Sequence, residues 1–510
     1  MVVMGERVDD QPGTTGDRRT TRRSFLIVSG TALATAAVGA VTGLTVNAVT
    51  GGALFREPSV QSDAEPTLAK LSGTDDDAAG ELIDFLKSAG RAATIDGQYF
   101  IDSPIIVPDT LRHLTLAAGS ALKVRGDHSG IARSGAIKLR EKTKGAMKEG
   151  ASSFTATDPG LYTADEWLLL SGANTVKNSK DKYGYLRRVT SIDGRTINID
   201  RPLPRTINKG PRTSAVTLSP SLEIDGAGEV FNVDPKNAKK SLVTLFAVEN
   251  PVVSGIEVHS NGGIGVTVAH CHGGHIDCTV RDLLDDGENY FGYAVNISGS
   301  SRDVVVNGFM TRVRHAVTTN AGGLIQGVGN AGEPEDCTFA PTARDCSNKA
   351  VDTHRLGWGI TMIPNVIGGN GAVQVRADNV SVVGGSVSGV TVSGITVSAD
   401  VVVPARITGV NISDVTQGTG IRARGPAEIT DCLISDTPGT AVELASGSSI
   451  DGLEIRNGGS IGVRVLGNNN SVAGVRAGSA TTTVVQLAPG KKGNSVVPNQ
   501  GVPFLFAPLK

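Results

Sequence analysis

From residue 241 onward the chain returns at short intervals to one four-residue pattern: a small residue, an apolar β-branched one, a variable one and, in most cases, another apolar one. The series runs "LVTL", "GVTV", "AVNI", "AVTT", "AVDT", "AVQV", "GITV", "GIRA", "AVEL", "GVRV" and "TVVQ". Its second residues are Val243, Val266, Val295, Val317, Val351, Val373, Ile395, Ile421, Val442, Val463 and Val484, spaced by 23, 29, 22, 34, 22, 22, 26, 21, 21 and 21 residues. Such a step is too short for a propeller blade, and alternation at every second position excludes helical repeats. Further apolar pairs recur inside the steps, as in "DVVVNG" and "NVSVVGG", punctuated by Gly, Asn and Ser. Two or three short strands per turn describe a parallel β-solenoid of about eleven or more coils. Abundant glycine (65 residues) and scarce aromatics (4%) suit short strands joined by tight turns.

The sequence resembles the right-handed parallel β-helix superfamily that includes pectate-lyase-like enzymes and phage tailspikes. The carrier of that likeness, besides the repeat, is "GTDDDAAGELIDFLKSAGRAATIDGQYFIDSPIIVP" (73–108), an acidic turn, a short amphipathic helix and the first coil strands. The resemblance implies an all-β fold, a polysaccharide partner, and homotrimers of the tailspike kind. It carries no diagnostic catalytic signature.

Ahead of the solenoid, Arg22 and Arg23 precede Phe25, Leu26 and a weakly apolar, uncharged run ending near Ala48. That arrangement is similar to a twin-arginine export signal, so residues 1–48 are read as a signal peptide and the rest as secreted, with an uncleaved membrane anchor as the alternative. The expected organisation continues as a linker (49–70), an N-terminal cap with the first coils (71–149), a small β insertion (150–215), the main β-helix with its groove (216–500) and a tail (501–510). The insertion, three strands with an "IDG" turn, is expected to cover the open end of the solenoid. With 48 basic and 50 acidic residues, the balance of charge argues against nucleic acid and against lasting membrane association. Among the five cysteines, Cys271 with Cys278 and Cys337 with Cys346 are disulfide candidates, and Cys432 is expected to be buried.

If the second residue of each tetrapeptide points inward, the next residue and the one two further on point out. Asp352, His354, Gln374 and Arg376 then form a patch, beside Asn296, Thr318 and Asn320 of the preceding coils. Arg314 and His315 lead into the coil before Asp352, and Tyr293 holds His315's place one coil earlier. The two longest steps fall here, and their excess becomes loops beside a rigid stack, where binding and catalysis are commonly built. Aromatic and polar residues gather with them: Tyr290, Phe291, Arg355 and Trp358. A denser His and Cys cluster, "HCHGGHIDC", has no zinc-like spacing and is set aside as a metal site.

These residue types fit cleavage of a polysaccharide. In β-elimination His315 or His354 is the base, Tyr293 the acid, Arg376 with Arg314 the carboxylate clamp, and Asp352 orients a histidine. Hydrolysis instead needs two carboxyl groups, Asp352 with Asp285 or Asp286. A glycan-binding, adhesin-like surface protein is the third reading. No cofactor is called for; calcium is left as an option with no motif behind it.

Overall fold

The computed structural model describes residues 76–497, together with the short strands Thr67–Ala69 and Phe506–Pro508. The export signal and most of the linker lie outside the described residues. Every coil carries strands on three faces, and each face stacks in parallel on the next coil. Two faces merge into one 23-stranded sheet, while the third is a separate sheet of 14 strands. The third face extends the repeat by two strands at its start, Ile105–Ile106 and Ile131–Ser134, and by Phe506–Pro508 at its end.

Register on this face follows the tetrapeptide. Val243, Val266, Val295, Val317, Val351, Val373, Ile395, Ile421, Val442 and Val463 stand opposite one another in turn. All of them are fully buried. One position is corrected: Val463 pairs with Val485 rather than Val484, because the last repeat carries one extra residue before its inward valine.

The corner between the second and third faces is a stacked column of left-handed residues. Asp282, Arg312, Asp345, Gly368, Gly389, Asp414, Asp436 and Asn457 all have positive φ, and each directly follows in-register partners of the second face. Aspartate, asparagine and glycine tolerate this conformation best, which explains why polar and glycine residues punctuate the repeat at constant phase.

The helix Ala79–Ser88 closes the N-terminal end, with Leu82 and Leu86 buried in the solenoid core. Among the described residues no helix is long and apolar enough to cross a membrane.

Six antiparallel strands between Ala136 and Thr217 form a side sheet with its own core, including Phe154, Tyr162, Leu168, Leu170, Tyr185 and Ile197. This sheet does not cover the open end, as the sequence suggested. Instead it docks on the turns of the middle coils through charge. Arg187 donates Nη1 and Nη2 to Glu335 at 2.6 and 3.0 Å, and Arg302 donates to Asp200 at 2.7 Å. Arg205 reaches Glu333 and Asp378, and Tyr185 donates to Glu333 at 2.6 Å. The solenoid partners Arg302, Glu333, Glu335 and Asp378 lie far from the inserted segment in sequence, so the docking site could not be read from it.

The disulfide candidates are also corrected. All five cysteines are free thiols facing the core. Cys271 sits in a turn with Sγ against the Leu245 and Ala269 carbonyls, whereas Cys278 points inward from the strand His275–Leu283. Burial pushes the thiols of Cys271, Cys278, Cys337 and Cys346 up to about 12.

Two outcomes check this architecture. In the native protein a thiol reagent should modify almost no cysteine, and all five should react on unfolding; rapid native labelling would contradict the inward register. Glu335→Ala, which strands the buried Arg187, should destabilise the docked sheet by about 3–5 kcal/mol, read as faster proteolysis between residues 136 and 217.

Candidate active site

Register gathers three outward columns on the third face. Tyr293, His315, Lys349, Gly371 and Ser393 form the first. Asn296, Thr318, Asp352, Gln374 and Thr396 form the second. The third takes residues at or just past the strand ends, including Asn320, His354 and Arg376. Asp352, His354, His315 and Arg376 do meet, although not on an open surface as the sequence suggested. Asp352 and Thr318 are fully buried and His315 is 2% exposed, whereas the side chains of His354 and Arg376 are 21% and 27% exposed. The inserted sheet and its loops bring Val176 and Tyr183 against this side of the coils, packed with Ala321 and Leu356.

Asp352 is the hub. Arg376 donates Nε to its Oδ1 at 3.0 Å and Nη2 to its Oδ2, and the His354 backbone N–H donates to Oδ1 at 2.8 Å. His315 Nε2 and His354 Nε2 stand 3.7 and 3.6 Å from the same Oδ2. Tyr293 lies over both imidazoles, with ring centroids 5.1 and 5.5 Å away. His354 has φ of 41°, a left-handed turn that brings its ring back over Asp352. Thr353 secures this turn by accepting the Arg376 and Ala377 N–H groups.

Burial pushes the Asp352 carboxyl upward, but the Arg376 guanidinium outweighs it and holds the group well below the usual carboxylate range. Burial also holds both imidazoles below the ordinary histidine value, against the opposing pull of Asp352. The two rings are therefore neutral at pH 7. His315 Nδ1 lies 2.5 Å from the Lys349 carbonyl, which makes it the donor and leaves Nε2 unprotonated. Asn296 Oδ1 and Thr318 Oγ1 are buried with no protein hydrogen-bond partner. Such atoms are costly unless water or a ligand meets them. His315, Asp352 and His354 also offer one ligand atom each within 4.8 Å of one another, a donor set suited to a transition metal and not to calcium, which takes oxygen ligands.

The remaining sequence candidates have other neighbours. Arg314 pairs with Asp285 at 3.3 Å, and Asp285 also accepts from Ser347 at 2.5 Å. Asp286 is exposed and caps its own turn, accepting the N–H groups of Glu288, Asn289 and Tyr290. Tyr290 donates its hydroxyl to the Lys236 carbonyl, bracing the loop. Arg355 ties down the insertion through the Asn178 carbonyl and Asp400. Asn320 accepts from the Ala321 N–H. Trp358 stacks with Arg205 and lines a cleft of about 360 Å³ with Arg201, Glu335 and Asp336. The "HCHGGHIDC" cluster disperses: its cysteines face the core, His272 packs on Trp167, and His275 meets Asn307.

Two features escaped the sequence reading. Lys349 sits beside His315, and burial pushes its ammonium down to about 8. Its Nζ donates to Ser393 at 2.7 Å, crossing Gly371, where any Cβ would collide with it. The small first residue of "GAVQV" was its only trace. The second feature is an acidic pair, Asp303 and Asp336 on adjacent coils, bridged by Arg201.

No family model and no curated protein matches the sequence. Among solved structures, the tailspike Gp54 of Acinetobacter baumannii bacteriophage AP22, in complex with A. baumannii capsular saccharide, superposes with a TM-score of 0.55 at 11% identity, covering 83% of this chain and 75% of that one. The gp49 tailspike of Pseudomonas phage LKA1 reaches 0.46 at 13% identity, over 82% and 74%. A double mutant of the tailspike of E. coli bacteriophage HK620, in complex with pentasaccharide, reaches 0.42 at 10%, over 85% and 75%. At these identities the likeness is one of architecture: the chain has the right-handed parallel β-helix fold.

Proposed function

We propose that the chain is an exported enzyme that cleaves an acidic polysaccharide by β-elimination on the third face. The observation that carries this reading is the convergence of two neutral imidazoles, a tyrosine and an arginine on one buried carboxylate. His354, the more exposed imidazole, is the base: Asp352 holds its Nε2 edge and leaves the other ring nitrogen to take the proton beside the uronate carboxylate. Arg376 supplies positive charge at the surface of the wall, where it would offset the charge that develops on that carboxylate. Tyr293 protonates the leaving oxygen. His315, almost wholly buried and held by the Lys349 carbonyl, packs beneath Tyr293. Asn296 and Thr318, both buried, form the floor beneath these groups.

Hydrolysis is less well supported. It needs one protonated carboxyl and a second free one, whereas Asp352 is buried, doubly bonded to Arg376 and held ionised, and Asp285 is engaged by Arg314 and Ser347. The AP22 tailspike was solved with a capsular saccharide, which favours a glycan as the ligand class for this chain too. A non-catalytic glycan binder is the reading that the first test below excludes or restores.

His354→Ala should lower turnover by about 10²- to 10⁴-fold with the melting transition unchanged, on an acidic polysaccharide whose cleavage by the native protein yields near-ultraviolet absorbance from the unsaturated uronate. Reducing ends without that absorbance would favour hydrolysis; binding without any cleavage would favour the adhesin.

The pH profile offers a second check. Burial lowers the folded pKa of His354, so the neutral base persists as pH falls through the ordinary histidine value of about 6.5. The acid limb of kcat/KM should therefore lie below about pH 6. A limb at or above pH 7 would contradict the assignment.

A further inference from the structure

The wall continues past the candidate site toward the C-terminus, and its charge changes there. In the second column Gln374 is followed by Thr396, Arg422, Glu443, Arg464 and Gln486, each in register with the next. Glu443 is shared: Arg422 Nε donates to its Oε2 at 2.9 Å and Arg464 Nη1 to its Oε1 at 3.3 Å. In the third column Arg376 is followed by Ser398, Arg424, Ala445 and Leu466, the residues directly after Val375, Val397, Ala423, Leu444 and Val465. Arg424 is exposed and forms no ion pair with any carboxylate among the described residues. Two arginines therefore share one glutamate, and Arg424 adds a third positive charge beside them. Arg422 and Arg424 line a depression of about 250 Å³ with Glu443 and Leu444, Leu466 is 42% exposed at its edge, and Arg464 follows Glu443 one coil on.

Spacing gives this patch a meaning. One coil rises about 4.8 Å, close to the length of one sugar residue in an extended chain. Arg376 and Arg424 stand two coils apart on the same column, about 10 Å. In a two-fold ribbon of linked uronates, alternate residues present their carboxylates to the same side, so one such chain lying along the face would meet both arginines. Leu466 and the aliphatic stems of the arginines offer apolar surface to the sugar faces between them.

We infer that the third face from Gln374 to Gln486 is a track for an acidic polysaccharide, with Arg424, Arg422 and Arg464 forming a distal subsite for a uronate carboxylate. The inference rests on the proposed elimination reading for its substrate class. It adds a polarity: the polymer extends from the His354 centre toward the C-terminal coils, at least two residues beyond the cleaved bond.

Affinity electrophoresis of the full chain through gels containing polygalacturonate, alginate or dextran tests it. At least one acidic polymer should retard the native protein in a salt-sensitive way, and dextran should not. Arg424→Glu, at an exposed side chain with no carboxylate partner, should bind that polymer about tenfold more weakly, the scale of one lost charge-assisted contact; Arg464→Gln should weaken it in the same direction. Equal retardation by dextran, retardation by neither acidic polymer, or unchanged binding in Arg424→Glu would overturn the track. Failure of the two readings is separable. Weakened binding in Arg424→Glu without any cleavage by the native protein keeps the track and removes the reaction; cleavage with unchanged binding does the reverse.

Discussion

Each coil hydrogen-bonds to the next residue for residue, at a rise of about 4.8 Å, so the place of a side chain on the surface is set by its phase in the repeat. Val351 goes inside, and Asp352 must then go out, directly over Thr318 and under Gln374. Slipping one residue would put the aspartate into the apolar core and expose the valine, reversing both at once. The left-handed column from Asp282 to Asn457 keeps that phase constant by turning every coil at the same point. Insertions are absorbed in loops, so the 29- and 34-residue steps leave the wall in register.

Burying Asp352 would be prohibitive for an isolated carboxylate. Here the cost is offset by two bonds from Arg376 and a backbone N–H from His354. Those same partners fix the geometry. The His354 ring lies over Asp352 because the left-handed turn at its own backbone puts it there, and that turn is tied to Arg376 and Ala377 through Thr353. Stability and the proposed chemistry thus draw on one set of contacts, and the docked sheet packs beside them through Val176 and Tyr183.

Much of this was legible beforehand. The tetrapeptide pointed to the fold, the inward valines and the outward Asp352, because a period of two leaves no freedom about which side chains share a face; His354 reaches Asp352 through a left-handed turn just beyond the strand. What escaped depends on contacts distant in sequence. Burial of the wall comes from a sheet more than a hundred residues upstream, anchored by pairs such as Arg187 with Glu335, and no local pattern announces them. Arg314, Arg355 and Tyr290 looked like ligand contacts by composition, yet each meets another part of the protein. Lys349 was passed over because its role depends on an empty position at Gly371, one coil away. The cysteine pairs looked close in sequence, but neither pair shares a strand: Cys271 lies in a turn and Cys278 on His275–Leu283, while Cys337 precedes Thr338–Phe339 and Cys346 follows Thr342–Arg344.

The central claim is that an acidic glycan sits on the third face with its reacting residue over Asp352. A crystal structure of His354→Ala bound to an acidic oligosaccharide tests this most directly. A uronate is expected to lie across Tyr293 and Arg376, its carboxylate toward the guanidinium and its chain running along the coils toward Arg424. An oligosaccharide bound instead on either of the other two faces, or in the cleft beside Trp358 and Asp336, would contradict it.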